Sequence, residues 1–97
     1  MRPVKRIEII VPEPATERLL AALEQVGTAG VTIVPQAFGA GDRPMSSWNP
    51  MTNENESRMV ITSVAEHDLV RLVDIIRPIL TRFGGTCMVS DAMWVIH

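Results

Sequence analysis

Gly39-Ala40-Gly41-Asp42-Arg43 sets two glycines beside a guanidinium. Glycine lets backbone N–H groups approach an anion closely, and arginine offers a paired, charge-assisted donor, so this stretch could hold a phosphate or a small oxyanion. A few residues on, Met45, Trp48 and Met51 are large apolar side chains in a polar stretch, the kind that anchor a protein partner. No arrangement suited to catalysis accompanies them. The chain has no Gly-x-Ser-x-Gly, no lysine closing a glycine-rich phosphate loop, and no histidine in a motif with a nucleophile, so an enzyme is not expected. His67, His97 and Cys87 are isolated from one another. That spacing excludes a structural zinc site of the usual kind, and no metal is expected.

The elements that must position this loop can be read from periodicity. Val4 to Val11 puts Ile7, Ile9 and Val11 on one face and Arg6 and Glu8 on the other, a strand. Pro12-Glu13-Pro14 breaks it, and Pro14 suits a first helical turn. Leu19, Leu20, Leu23 and Val26 then recur at helical spacing up to Gly27. Gly30 opens a second β-rich run, and Pro35, which has no N–H to donate, marks it as an edge strand. From Gly39 to Glu56 no period survives, and a loop of that length in a small domain is usually functional. Arg58 to Val64 reads as a third strand. A second helix runs from about Asp68 to Phe83 on Leu69, Leu72, Val73, Ile76, Leu80 and Phe83, with a kink expected from Pro78 near Asp74. Gly84-Gly85 ends it, and Thr86 to His97 forms a last strand, bulged near Ser90-Asp91.

The order βαββαβ implies an α+β, ferredoxin-like domain spanning residues 1–97. It has one four-stranded antiparallel sheet, strands one and three central, and both helices on one face. Apolar residues point to both faces of the strands: Ile10 beside Ile9, Val60 beside Ile61. The face without helices therefore needs cover, and a second copy of the chain is its simplest source.

Composition narrows the function. A length of 97 residues allows one core, and 46% hydrophobic with 21% charged residues belongs to folded proteins. Nine basic against eleven acidic residues leave a charge of -2 without a basic block, and the strands expected at the sheet centre carry no aromatic residue, so nucleic acid is not an expected partner. One cysteine, no export signal and no apolar run of about 20 residues point to the cytoplasm.

Two βαβ halves, Gly30-Val31-Thr32 opening strand two, the long loop after it and a glycine-containing turn before strand four together resemble the PII signalling superfamily. Within it, the resemblance is to the divergent group that includes carboxysome-associated PII proteins and regulators of bicarbonate transport. It implies a homotrimer with adenine-nucleotide sites in the clefts between subunits, and a T-loop, here about 39–56, that reports occupancy to a partner such as a bicarbonate transporter or a carboxysome component. Thr32 matches the family threonine near the adenine, Gly39 and Gly41 the loop base, and Gly85 and Thr86 the turn before strand four. Thr62 joins this nucleotide-contacting set. Arg43 and Arg58 are placed by charge and position as contacts for phosphate or bicarbonate.

The family turn ends Gly-Asp-Gly-Lys where this chain reads Ser90-Asp91-Ala92-Met93, and the chain stops at His97 without the family's C-terminal arginines. Fewer cations hold a triphosphate less well, so ADP or AMP is favoured over ATP. The chain has no tyrosine, which excludes uridylylation of that residue type in the loop. Rival readings on the same fold are a metal-binding trimer, for which only Glu54, Glu56 and His67 offer ligands, and a protein-interaction module anchored on Met45, Trp48 and Met51. An acylphosphatase would need an arginine-containing turn where Pro12-Glu13-Pro14 stands.

Overall fold

The computed structural model of the protein describes residues 1–35 and 57–97. The strands are β1 (Arg2–Pro12), β2 (Thr32–Pro35), β3 (Ser57–Val64) and β4 (Thr86–Trp94); the helices are α1 (Thr16–Val26) and α2 (Leu69–Phe83). The sheet is antiparallel in the order β2-β3-β1-β4. β1 and β3 are central and the proline-bearing β2 is an edge, as the pattern requires. Gly39, Gly41, Arg43, Met45, Trp48 and Met51 lie outside the described residues.

Each helix is entered through a 3-10 turn, Glu13–Ala15 before α1 and Glu66–Asp68 before α2. Gly27, at φ +83°, ends α1 in the left-handed conformation that a Cβ disfavours. Its N–H bonds Glu24 O at 3.1 Å and the N–H of Thr28 bonds Leu23 O at 3.3 Å, satisfying the last carbonyls of the helix. Arg71 on α2 donates to Gln25 O at 3.0 Å and ties the two helices together there. The Phe83 ring lies 5.6 Å from the Arg18 guanidinium and 5.1 Å from that of Arg82. α2 continues through Pro78 to Phe83.

Ile7, Ile9, Val11, Val60 and Val64 from the sheet meet Leu19, Leu23, Leu72 and Ile76 from the helices in one core. The fully buried apolar side chains contribute about 1.5–3 kcal/mol each. No described helix is long and apolar enough to cross a membrane.

One sequence expectation fails. β4 carries no bulge at Ser90-Asp91: its pairing with β1 is unbroken from Arg2↔Trp94 to Ile10↔Thr86. Ser90-Asp91-Ala92-Met93 lies wholly inside that strand, so it is not the turn preceding it. The turn is only Gly84 and Gly85, at φ +79° and +130°, conformations that reverse the chain in two residues. The strand ends at Trp94 rather than His97. A regular ladder satisfies every paired backbone group, and the Lys5 Nζ–Asp91 Oδ1 pair at 2.5 Å joins the two strands where the bulge was expected. The hydrogen bond that Lys5 donates to Asp91 raises the Lys5 pKa above its ordinary value.

Candidate functional site

Residues directly opposite in an antiparallel ladder share a face. The register therefore places Thr32, Ile61, Glu8 and Met88 in one row on the face without helices, with Ser63, Arg6 and Ser90 in the next. Beside these rows a cleft of about 420 Å³ opens between the α1–β2 turn (Ala29 to Val31), Thr32, Ile61, Ser63 and Trp94. Its turn wall is held by its own chain. Thr62 is buried, and its hydroxyl donates to Gly30 O at 2.5 Å and lies 3.5 Å from Ala29 O. The Ala29 N–H reaches Ser63 O at 3.1 Å. Thr62 thus shapes the cleft through the turn it holds, while Thr32 itself is exposed. Thr62→Val, which keeps the shape and removes the donor, is expected to cost about 1–3 kcal/mol of stability in urea unfolding, because the Gly30 carbonyl loses its partner.

On the opposite wall, the Trp94 indole N–H donates to Ser63 Oγ at 2.9 Å. Arg6 Nη1 is paired with Glu8 Oε2 at 2.7 Å, so the cation nearest the cleft is largely balanced by its neighbour. Neither Ser63 nor Trp94 belongs to the sequence-derived set. The signal for them is weak in one dimension: Trp94 needs an acceptor for its indole N–H, and only the strand order reveals that Ser63 faces the same side.

Arg58, Gly85 and Thr86 lie elsewhere. Thr86 pairs with Ile10 and Arg58 with Val11 and Pro35, at the end of the sheet where residues 36–56 enter and leave. Arg58 donates to Ser57 O at 3.3 Å. Arg58 and Thr62 are four steps apart along β3, which at the usual rise is about 13 Å. Within one chain the structure brings Thr32 and Thr62 to one cleft and leaves Arg58, Gly85 and Thr86 at the far end of the sheet, Arg58 on the helix side with Val11 and Thr86 on the open side with Ile10.

Several other reactive groups among the described residues are paired or buried. A second cleft of about 450 Å³, near Pro3, Glu66 and Met93, contains the Lys5–Asp91 pair. Cys87 is half-buried against the core, and burial pushes its thiol pKa up, which leaves it protonated and weakly nucleophilic near neutrality. His67 Nε2 lies 3.5 Å from Asp68 Oδ2 at the surface.

The doubly repeated βαβ sheet, its open face and its turn-lined cleft define a small ferredoxin-like domain. The sequence profile of the family described as Nitrogen regulatory protein P-II matches residues 4–96, and the chain belongs to that family. Among solved structures it is similar to CPII from Thiomonas intermedia K12 bound to ADP and bicarbonate, with 28% identity, TM-score 0.77, and 93% of this chain and 86% of that one covered. The same protein bound to ADP, AMP and bicarbonate aligns at 26% identity and TM-score 0.72, over 93% and 88% of the two chains. Its apo form aligns at 24% identity and TM-score 0.77, over 93% and 89%, a likeness of fold. No curated protein matches the chain.

Proposed function

We propose that this chain is a non-enzymatic, cytoplasmic, PII-like regulator that assembles as a homotrimer. It binds ADP or AMP in preference to ATP in the clefts between subunits and takes bicarbonate as a second ligand. The loop at about 39–56 passes the ligand state to a protein partner concerned with inorganic carbon, such as a bicarbonate transporter or a carboxysome component. The observation that carries this reading is the division of the candidate residues. Thr62, on the wall of the Thr32 cleft, stands about 13 Å along β3 from Arg58, a separation that a ligand spanning two chains would bridge. The nearest cation to the Thr32 cleft is paired with Glu8, so a phosphate bound there draws its charge partners from a neighbouring copy. Support for the ligand classes comes from the ADP and bicarbonate held by the CPII structures at 26–28% identity.

Titration calorimetry with ADP, AMP and ATP, with and without bicarbonate, alongside mass by light scattering, tests the reading. Micromolar ADP or AMP binding to a species of three chains, with ATP weaker, is the expected result. A trimer that binds none of them removes the nucleotide role and leaves an interaction module; a monomer that binds ADP at full affinity removes the shared cleft.

A further inference from the structure

We infer that the Trp94 indole is a stacking platform for the nucleobase, fixed in the ligand cleft by its bond to Ser63; this rests on the nucleotide reading above. The indole lies on the wall of the 420 Å³ cleft opposite the Ala29–Thr32 turn. Its orientation is fixed at the edge by the 2.9 Å hydrogen bond from Nε1 to Ser63 Oγ. Trp94 nevertheless remains 45% exposed, although a large aromatic residue whose polar atom is already satisfied gains most from being covered.

The residues beneath explain which side is taken. Val4 on β1 is 9% exposed although it lies on the open face, whereas Arg6, two residues along the same strand, is half-exposed. Val4 and Trp94 line the same cleft and the indole reaches across β1 to Ser63 on β3, so the ring is anchored over the sheet while much of it stays open to the cleft. A ring held in that way has already lost its rotamer freedom, so a planar ligand stacking on it immobilises nothing further. Ile61 and Val31 add apolar walls, and Thr32 and the backbone of the turn provide polar groups at the rim. A planar, aromatic, hydrogen-bonding ligand fits this combination, and a purine base is that ligand in the proposed function. Stacking is tolerant of base identity, so Trp94 sets affinity for the base and leaves the choice between bases to the polar rim.

The test is a pair of measurements on the full chain. In a 15N-labelled sample the Trp94 indole signal is the one missing from Trp94→Phe, and it is expected to shift upfield as ADP saturates, because a stacked base shields it. ADP affinity by calorimetry is expected to fall at least about tenfold in Trp94→Ala and less than about threefold in Trp94→Phe, which keeps a ring. An indole signal that stays in place at saturating ADP, or a Trp94→Ala affinity within twofold of the parent, overturns the stacking role alone. If the parent protein binds no ADP at all, the nucleotide reading and the stacking role fall together. Should Trp94→Ala fail to assemble, the indole shift in the parent and the affinity of Trp94→Phe decide the matter.

Discussion

Replacing Gly85 with alanine is expected to remove about 2–4 kcal/mol of folding free energy and lower Tm by at least about 10 °C. Gly85 sits at φ +130°, which side-chain-bearing residues rarely adopt. A Cβ built there would lie 2.5 Å from Ile10 O, 3.1 Å from Val11 Cγ1 and 3.3 Å from Leu80 Cδ2. The first of these is backbone on the central strand, and it cannot yield without disturbing the β1–β4 ladder. Gly27→Ala is the control. Gly27 has a comparable positive φ, but its Cβ would meet nothing within 4 Å, so only the conformational cost of about 1–2 kcal/mol applies. Urea unfolding of the two variants separates the effects; equal losses would mean that the close approach to Ile10 is harmless. Gly85 thus has a structural reason to be glycine, independent of any ligand.

The second large effect is on assembly. Val34, Met59 and Ile10 lie in one row across β2, β3 and β1 on the face without helices. Met59→Asp puts a carboxylate at the middle of that row. In the single chain Met59 is only half-buried, so the acid keeps water and the fold survives. If a second copy covers the row, the charge must be desolvated without a partner, which costs several kcal/mol and weakens association at least about a thousandfold. The expected result is a monomer by light scattering with an unchanged circular dichroism spectrum. A Met59→Asp protein of parental mass would show that assembly uses another surface.

Much of the fold was legible because its signals are local. The alternation of Ile7, Ile9 and Val11, the spacing of Leu19, Leu23 and Val26, and Pro35 at a strand end each state a period or a prohibition that tertiary structure had no cause to override. The bulge expected at Ser90-Asp91 misread polarity as irregularity. Ser90 stands opposite Arg6 on an exposed row, and Asp91 is drawn to Lys5, so a regular strand accommodates both. The cleft was legible only in part. Thr32 was found through the resemblance, whereas Ser63 and Trp94 are 31 positions apart and meet only because β1 lies between their strands. The role of Thr62 was hidden for the same reason: its hydroxyl serves a carbonyl 32 residues away.

The regularity of β4 has a bearing on how the protein behaves when concentrated. The two edges of the sheet are unequally guarded. β2 carries Pro35, which has no N–H to offer an incoming strand. β4 is nine residues long, unbroken and without proline, and it carries exposed Met88 and Val89 beside a row of outward backbone groups. In that row the acid at Asp91 is already neutralised by Lys5. Growth of disordered aggregates or fibrils during purification or storage would therefore start at β4. A lysine introduced at Met88, 67% exposed, is the substitution that would suppress it at least cost to the fold.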